Sequence, residues 1–172
     1  MGGTAITLGI LGVALEWSSL RGLLKLRPLP LSAGLLVGVG MTLATYPLYR
    51  LLPMLAPQMA RDTVRLYARL GPSSLLSLAL VPAVVGEEVV WRGVIQGSLV
   101  RRFGNATAVP LGAVVYALAQ IPVRSPVLVF AALVCGLAWG SLRAMANSLI
   151  ATIVAHLLWS EVLFLFVPLA RT

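Results

Sequence analysis

Glu87-Glu88-Val89-Val90-Trp91-Arg92 places two acids and an arginine inside a stretch otherwise built of Leu, Val, Ala and Gly. An ionisable side chain within a membrane helix costs at least about 2.5–3.5 kcal/mol, so such residues are rarely present without a role. On a helix, Glu88 and Arg92 are four apart, share a face and can pair. Glu87 is rotated by about 100° and need not be consumed by that pair. One neutralised acid beside one independent acid is what a carboxylate base requires. The plainer alternative is that both acids pair with arginines simply to lock helices together. Gly86 and Gly93 flank the cluster and would admit a neighbouring helix or an extended substrate. Pro82, five residues before Glu87, would loosen the helix and free a carbonyl.

Three more polar residues stand in apolar surroundings. His156 is the single histidine of the chain, and Ser160 follows four residues later on the same helical face. A histidine on an apolar helix is more often a hydrogen-bonded packing residue, and a membrane serine commonly bonds back to its own backbone. Proximity to an intramembrane diacid favours function for His156. Gln120 ends the segment Tyr116-Ala117-Leu118-Ala119-Gln120, where an apolar residue would be less costly. Its plain reading is solvation of a helix end beside Pro122. A catalytic zinc wants about three protein ligands plus water. Glu87, Glu88 and His156 are the candidates and no HExxH is present, so neither metal nor cofactor is expected. Cys135, the lone cysteine, lies between Val134 and Gly136 and reads as a small packing residue that can form no internal disulfide.

The elements that must position these residues are membrane helices. Of the 172 residues 59% are hydrophobic and 10% charged, with a mean hydropathy of +0.97, which excludes an ordinary soluble domain. Apolar runs recur at about 20 residues, and in lipid such runs must satisfy their own backbone groups, hence helices. The pattern predicts an all-α, polytopic transmembrane bundle of about six spans, as one membrane-embedded domain over residues 1–172. The spans run from Thr4 to Leu20, Leu31 to Tyr49, Ser73 to Val100, Ala106 to Ile121, Pro126 to Leu142 and Ala146 to Val167. The first lacks the basic leader and cleavage site of a secretory signal. Between the second and third, Arg61, Arg65 and Arg69 recur every four residues. This stripe suggests a short interfacial helix, its arginines on anionic headgroups while Val64, Leu66, Tyr67 and Leu70 dip into lipid. The net charge of +8 fits membrane edges better than nucleic acid. Lysines and arginines divide evenly between the two sides of the spans, so no orientation follows.

The run Glu87-Glu88-Val-Val-Trp-Arg92-Gly93-Val-Ile-Gln96 resembles the EExxxR motif of the CAAX protease and bacteriocin-processing (CPBP, or Abi) family of intramembrane glutamic endopeptidases. Tyr116 to Gln120 falls at that family's second motif, an aromatic residue followed four later by histidine. His156 to Ser160 falls at its third, a histidine followed four later by asparagine or aspartate. The resemblance covers the motif-bearing core, residues 73–167. It implies that Glu87 activates the attacking water, that Arg92 is the structural partner of Glu88, and that His156 stabilises the oxyanion. Two positions depart from the pattern: Gln120 can orient a water but not take its proton, and Ser160 can still donate a hydrogen bond.

The resemblance implies a hydrolase of the multi-pass membrane, with lipid and a membrane-anchored protein or peptide as partners. The Leu/Ala/Val/Arg-rich usage suggests a bacterial inner membrane, and for a bacterial member the resemblance implies a C-terminal sorting protease like those of the myxosortase branch. Gln120 and Ser160 keep open a catalytically degenerate member acting as a bacteriocin-immunity or scaffold protein. A proton or substrate relay through Glu87, Glu88 and Arg92 is a third reading, weakened by the lack of internal repeats.

Overall fold

The computed structural model describes residues 17–69, 73–166 and 168–169. Helices α1 (Trp17–Leu23), α2 (Pro28–Leu55), α3 (Pro57–Ala68), α4 (Ser73–Glu88), α5 (Gln96–Leu118), α6 (Pro126–Ala146) and α7 (Leu149–Glu161) follow in order. Two π-helical segments, Val89–Ile95 and Val162–Phe166, extend α4 and α7, and a 3₁₀ turn at Ile121–Val123 precedes α6. No strand occurs among the described residues. Among the described residues, four helical runs are long and apolar enough to cross a membrane: Pro28–Leu55, Leu78–Val123, Pro126–Ala146 and Leu149–Phe166. The predicted span from Thr4 to Leu20 lies outside the described residues as far as Glu16.

The 46-residue run Leu78–Val123 holds the predicted third and fourth spans and reverses at Gly104. That residue has φ 74° and ψ 169°, a region that a side chain would forbid, so the helix breaks there without a separate loop. Trp91 before the break and Tyr116 after it then meet with ring centroids 5.1 Å apart and planes at 57°, as expected of two antiparallel arms. Serine side chains cap the next two helices: Ser125 accepts from the Leu128 N–H and Ser148 from the Ala151 N–H. Pro28 begins α2, where a missing N–H costs nothing.

The bundle is assembled through small residues. Helix α2 buries Gly34, Gly38 and Thr42 while Leu35, Leu36, Val39 and Leu43 face outward. That is the reverse of a soluble amphipathic helix, because lipid is as good a solvent for leucine as a protein core. A Cβ on Gly34 would meet the Ala151 carbonyl oxygen at 2.5 Å, and one on Gly38 would meet Ala155 Cα at 3.0 Å. Four-residue spacing on both helices, Gly34/Gly38 and Ala151/Ala155, thus brings the α2 and α7 backbones together. Gly136 of α6 presses in the same way on Ala113 of α5. Gly93 admits Leu20 and Leu149, whose side chains would crowd any Cβ, as its position predicts. At Gly86 a Cβ would meet nothing within 4 Å, so no neighbouring helix packs on it.

Helix α3 has its arginines outward, with Arg61, Arg65 and Arg69 exposed. Its opposite face departs from the sequence reading. Tyr67 and Asp62 dock onto protein, the Tyr67 hydroxyl donating to the Leu163 carbonyl at 2.6 Å and Ser125 donating to Asp62. Thr63 is buried and Val64 exposed. Leu70 lies outside the described residues. The polar ends of Asp62 and Tyr67 find partners that lipid could not provide.

Candidate active site

Pro82 lies inside α4, and the acids sit at the helix's last turn, where it passes into the π segment Val89–Ile95. In that segment hydrogen bonds skip one residue further, so that the Gln96 N–H reaches the Trp91 carbonyl. A π segment is an inserted residue in an α-helix and recurs at functional sites because it turns the flanking side chains to new faces. Arg92 and Gly93 within it are buried. Gln96, just beyond, donates to the Gly140 carbonyl of α6 at 2.9 Å and fixes the segment against its neighbour.

Glu88 is fully buried. Its Oε1 lies 3.4 Å from Arg92 Nη1, the expected four-apart pair, and 2.9 Å from His156 Nδ1, a partner 68 residues away. The carboxylate therefore joins the first and last motifs. The imidazole stacks on Trp139 of α6, with centroids 3.8 Å apart and planes at 22°. Arg92 lies under the Tyr116 ring at 4.6 Å and beside the Trp139 ring at 5.2 Å, so two aromatic faces supplement its counter-ion. With solvent excluded, these contacts limit the cost of a buried guanidinium.

Glu87 is half-buried and stands apart from the Glu88–Arg92 pair, as its rotation on the helix predicts. It is nevertheless not free: its Oε2 accepts a hydrogen bond from the Tyr116 hydroxyl at 2.7 Å. Glu87, Tyr116, Gln120, Trp139, His156 and Ser160 all line one cavity of about 200 Å³ between α4, α5, α6 and α7. Of the six residues singled out from sequence, four face this space, while Glu88 and Arg92 stand behind it and hold His156. Cys135 is buried and borders the same cavity. Trp139 and the hydroxyl of Tyr116 were missed. Trp139 carries no pattern beyond an aromatic in an apolar helix, whereas the tyrosine in a motif next to a diacid was a usable signal.

A second cavity of about 240 Å³ adjoins the first, lined largely by apolar side chains of α2, α3, α6 and the second π segment. Trp159 and Phe164 border both spaces. Trp159 is held in place by donating from Nε1 to Thr45 Oγ1 of α2 at 3.0 Å.

Residues 69–162 match the family described as type II CAAX prenyl endopeptidase Rce1-like, a stretch that covers more than half of the chain and every site residue above. The chain belongs to this family. The Rce1-like enzymes are proteases of the CAAX class, and with four apolar helical runs this member is an integral membrane protein. No curated protein and no solved structure matches the chain.

Proposed function

We propose that this Rce1-like protein is an intramembrane endopeptidase that uses Glu87 to activate water. The observation that carries the reading is the convergence of Glu87, Tyr116, Gln120, His156 and Ser160 on one cavity sunk among the spans. Glu87 takes a proton from a water as its oxygen attacks the scissile carbonyl carbon. The oxyanion so formed accepts a hydrogen bond from His156, aided by Ser160. Glu87 then gives its proton to the leaving amine nitrogen as the C–N bond breaks. Gln120 orients the water without removing its proton.

The Glu88–His156 contact gives His156 its place in this scheme. A carboxylate is an acceptor, so Nδ1 carries the proton and the ring is fixed in orientation. Donation from Nε2 to an oxyanion then makes the ring an imidazolium. Glu87 and Glu88 as carboxylates, with Arg92 and His156 as cations, sum to zero charge. The apolar chamber beside the cavity suits an apolar segment of a membrane-anchored protein or peptide. The Leu/Ala/Val/Arg-rich usage of the chain supports a bacterial inner membrane as the setting, and the resemblance to the myxosortase branch supports a C-terminal sorting role there.

The test is purified protein in detergent or nanodiscs with a quenched fluorescent membrane peptide. Cleavage by wild type that Glu87→Gln lowers by more than about tenfold supports the assignment. A second reading, a degenerate member that binds peptides without cutting them, is favoured by Gln120 and Ser160. Absence of cleavage, with function in cells surviving both Glu87→Gln and His156→Ala, would establish it instead.

A further inference from the structure

We propose that Tyr116 is a positioning residue for the base, supplying through its phenol the second polar group that Gln120 does not provide. The inference rests on the protease reading above. Three contacts carry it. The Tyr116 hydroxyl donates to Glu87 Oε2 at 2.7 Å. The ring lies over the Arg92 guanidinium at 4.6 Å. The ring also meets Trp91, with centroids 5.1 Å apart and planes at 57°, across the reversal at Gly104. Tyr116 is thus packed against both an aromatic ring and a cation, and its hydroxyl reaches the carboxylate from a fixed direction.

Glu87 has a single bond to the α4 backbone and three rotatable side-chain torsions, and the apolar walls of the cavity offer few partners for its carboxylate. Leu80, Ala83, Val84, Leu128 and Ala132 there give it nothing to hold. The phenol removes that freedom. It occupies Oε2, which leaves Oε1 for the water, and so divides the carboxylate into a held oxygen and a working one. The remote cation under the ring links this arrangement to the Glu88–Arg92–His156 group, so that base and oxyanion donor share one scaffold. Gln120 lines the same cavity one helical turn beyond Tyr116, close enough in sequence and space for the two positions to exchange duties.

The experiment compares kcat and KM for four forms on the same quenched membrane peptide: wild type, Tyr116→Phe, Gln120→His and the double variant. Tyr116→Phe deletes one hydroxyl and keeps the ring on Trp91 and Arg92. A charge-assisted hydrogen bond of this kind corresponds to a loss of about 10- to 100-fold. The loss is expected in kcat with KM changed less than about threefold, because a positioning phenol acts through the Glu87 carboxylate rather than by holding substrate. Gln120→His in the Tyr116→Phe background is expected to recover about tenfold, while the same change in wild type gives less. A merely structural role for Tyr116 would not predict rescue from a neighbouring turn. Tyr116→Phe with wild-type kcat, or an equal effect of Gln120→His in both backgrounds, overturns the inference. Glu87→Gln measured alongside separates the two failures: if it too retains activity, the base assignment falls, and if it is inactive, only the role of Tyr116 does.

Discussion

Glu88→Gln and Glu87→Gln change the same atom in adjacent residues and should fail in different ways. Glu88 is fully buried and Arg92 is 2% exposed, so the glutamine leaves a guanidinium with no counter-ion in a dry environment. Breaking a buried pair in this way costs about 3–5 kcal/mol. The amide oxygen still accepts from His156, and the faces of Tyr116 and Trp139 still cover Arg92, so about 3 kcal/mol is the fitting end of that range. For a protein of this size each kcal/mol moves Tm by about 2–4 °C, which gives a fall of about 6–12 °C in a thermal-unfolding assay in detergent. Glu87→Gln keeps the Tyr116 hydroxyl satisfied through its amide oxygen and strands no cation. Its Tm should stay within about 2 °C of wild type while cleavage is lost. Glu88→Gln combined with Arg92→Met removes the stranded charge and should recover most of the stability without recovering activity. Equal Tm shifts in the two single variants, or no recovery in the double, would refute the division of labour between the two acids.

His156→Ala should lower kcat by about 100- to 1,000-fold, as loss of an oxyanion donor does, whereas Gln120→Ala should cost under about tenfold in the same assay. Gly34→Ala and Gly38→Ala should each lower Tm, because their new methyl groups overlap Ala151 and Ala155, at about 1–3 kcal/mol apiece. Gly40→Ala, which has open space around it, is the control and should not lower it. Strong chelators should leave peptide cleavage unchanged, and inhibition reversed by added zinc would replace the glutamate mechanism with a metal one. Burial pushes the Tyr67 phenol, on α3 outside the spans, up to about 12, against a smaller opposing pull from the Leu169 backbone. A group whose pKa is higher folded than unfolded stabilises the fold below the unfolded value, near 10 for tyrosine, and that contribution disappears as pH climbs from there through 12. Wild type should therefore lose Tm relative to Tyr67→Phe as pH is raised above about 10, and parallel curves would contradict the docking of α3.

Much of the site was legible because charge in a membrane is conspicuous. Glu87, Glu88 and Arg92 announce themselves by cost alone, and their four-residue arithmetic correctly places Arg92 against Glu88 and Glu87 elsewhere. What sequence could not supply was contact between distant segments. Glu88 meets His156 across 68 residues, and neither local spacing nor propensity encodes that meeting. The π segment escaped for a related reason: Val89–Ile95 has ordinary helical composition, and the inserted hydrogen-bond step is imposed by packing of Gly93 and Gln96 against their neighbours. The α2–α7 contact was written in Gly34 and Gly38, yet small residues at that spacing become informative only once a partner with Ala151 and Ala155 is known. Helix α3 shows the converse error. Its arginine stripe was correctly assigned to the outside, but Asp62 and Tyr67 each carry a polar group that lipid cannot satisfy and protein can.

The two bonds of Glu88 also set an order in time. Arg92 lies one turn away on the same emerging segment, so the acid is neutralised by a neighbour that enters the membrane with it. His156 is carried by α7 and arrives after α5 and α6 have been threaded. During biogenesis the diacid can therefore be inserted at tolerable cost while lacking its imidazole, and the complete charge cluster first exists when α7 docks through Ala151 and Ala155 on Gly34 and Gly38. A half-made chain carries the acid and its stabilising arginine but not the imidazole. In a hydrolase that lives among other unfinished membrane proteins, assembly itself is the safety catch.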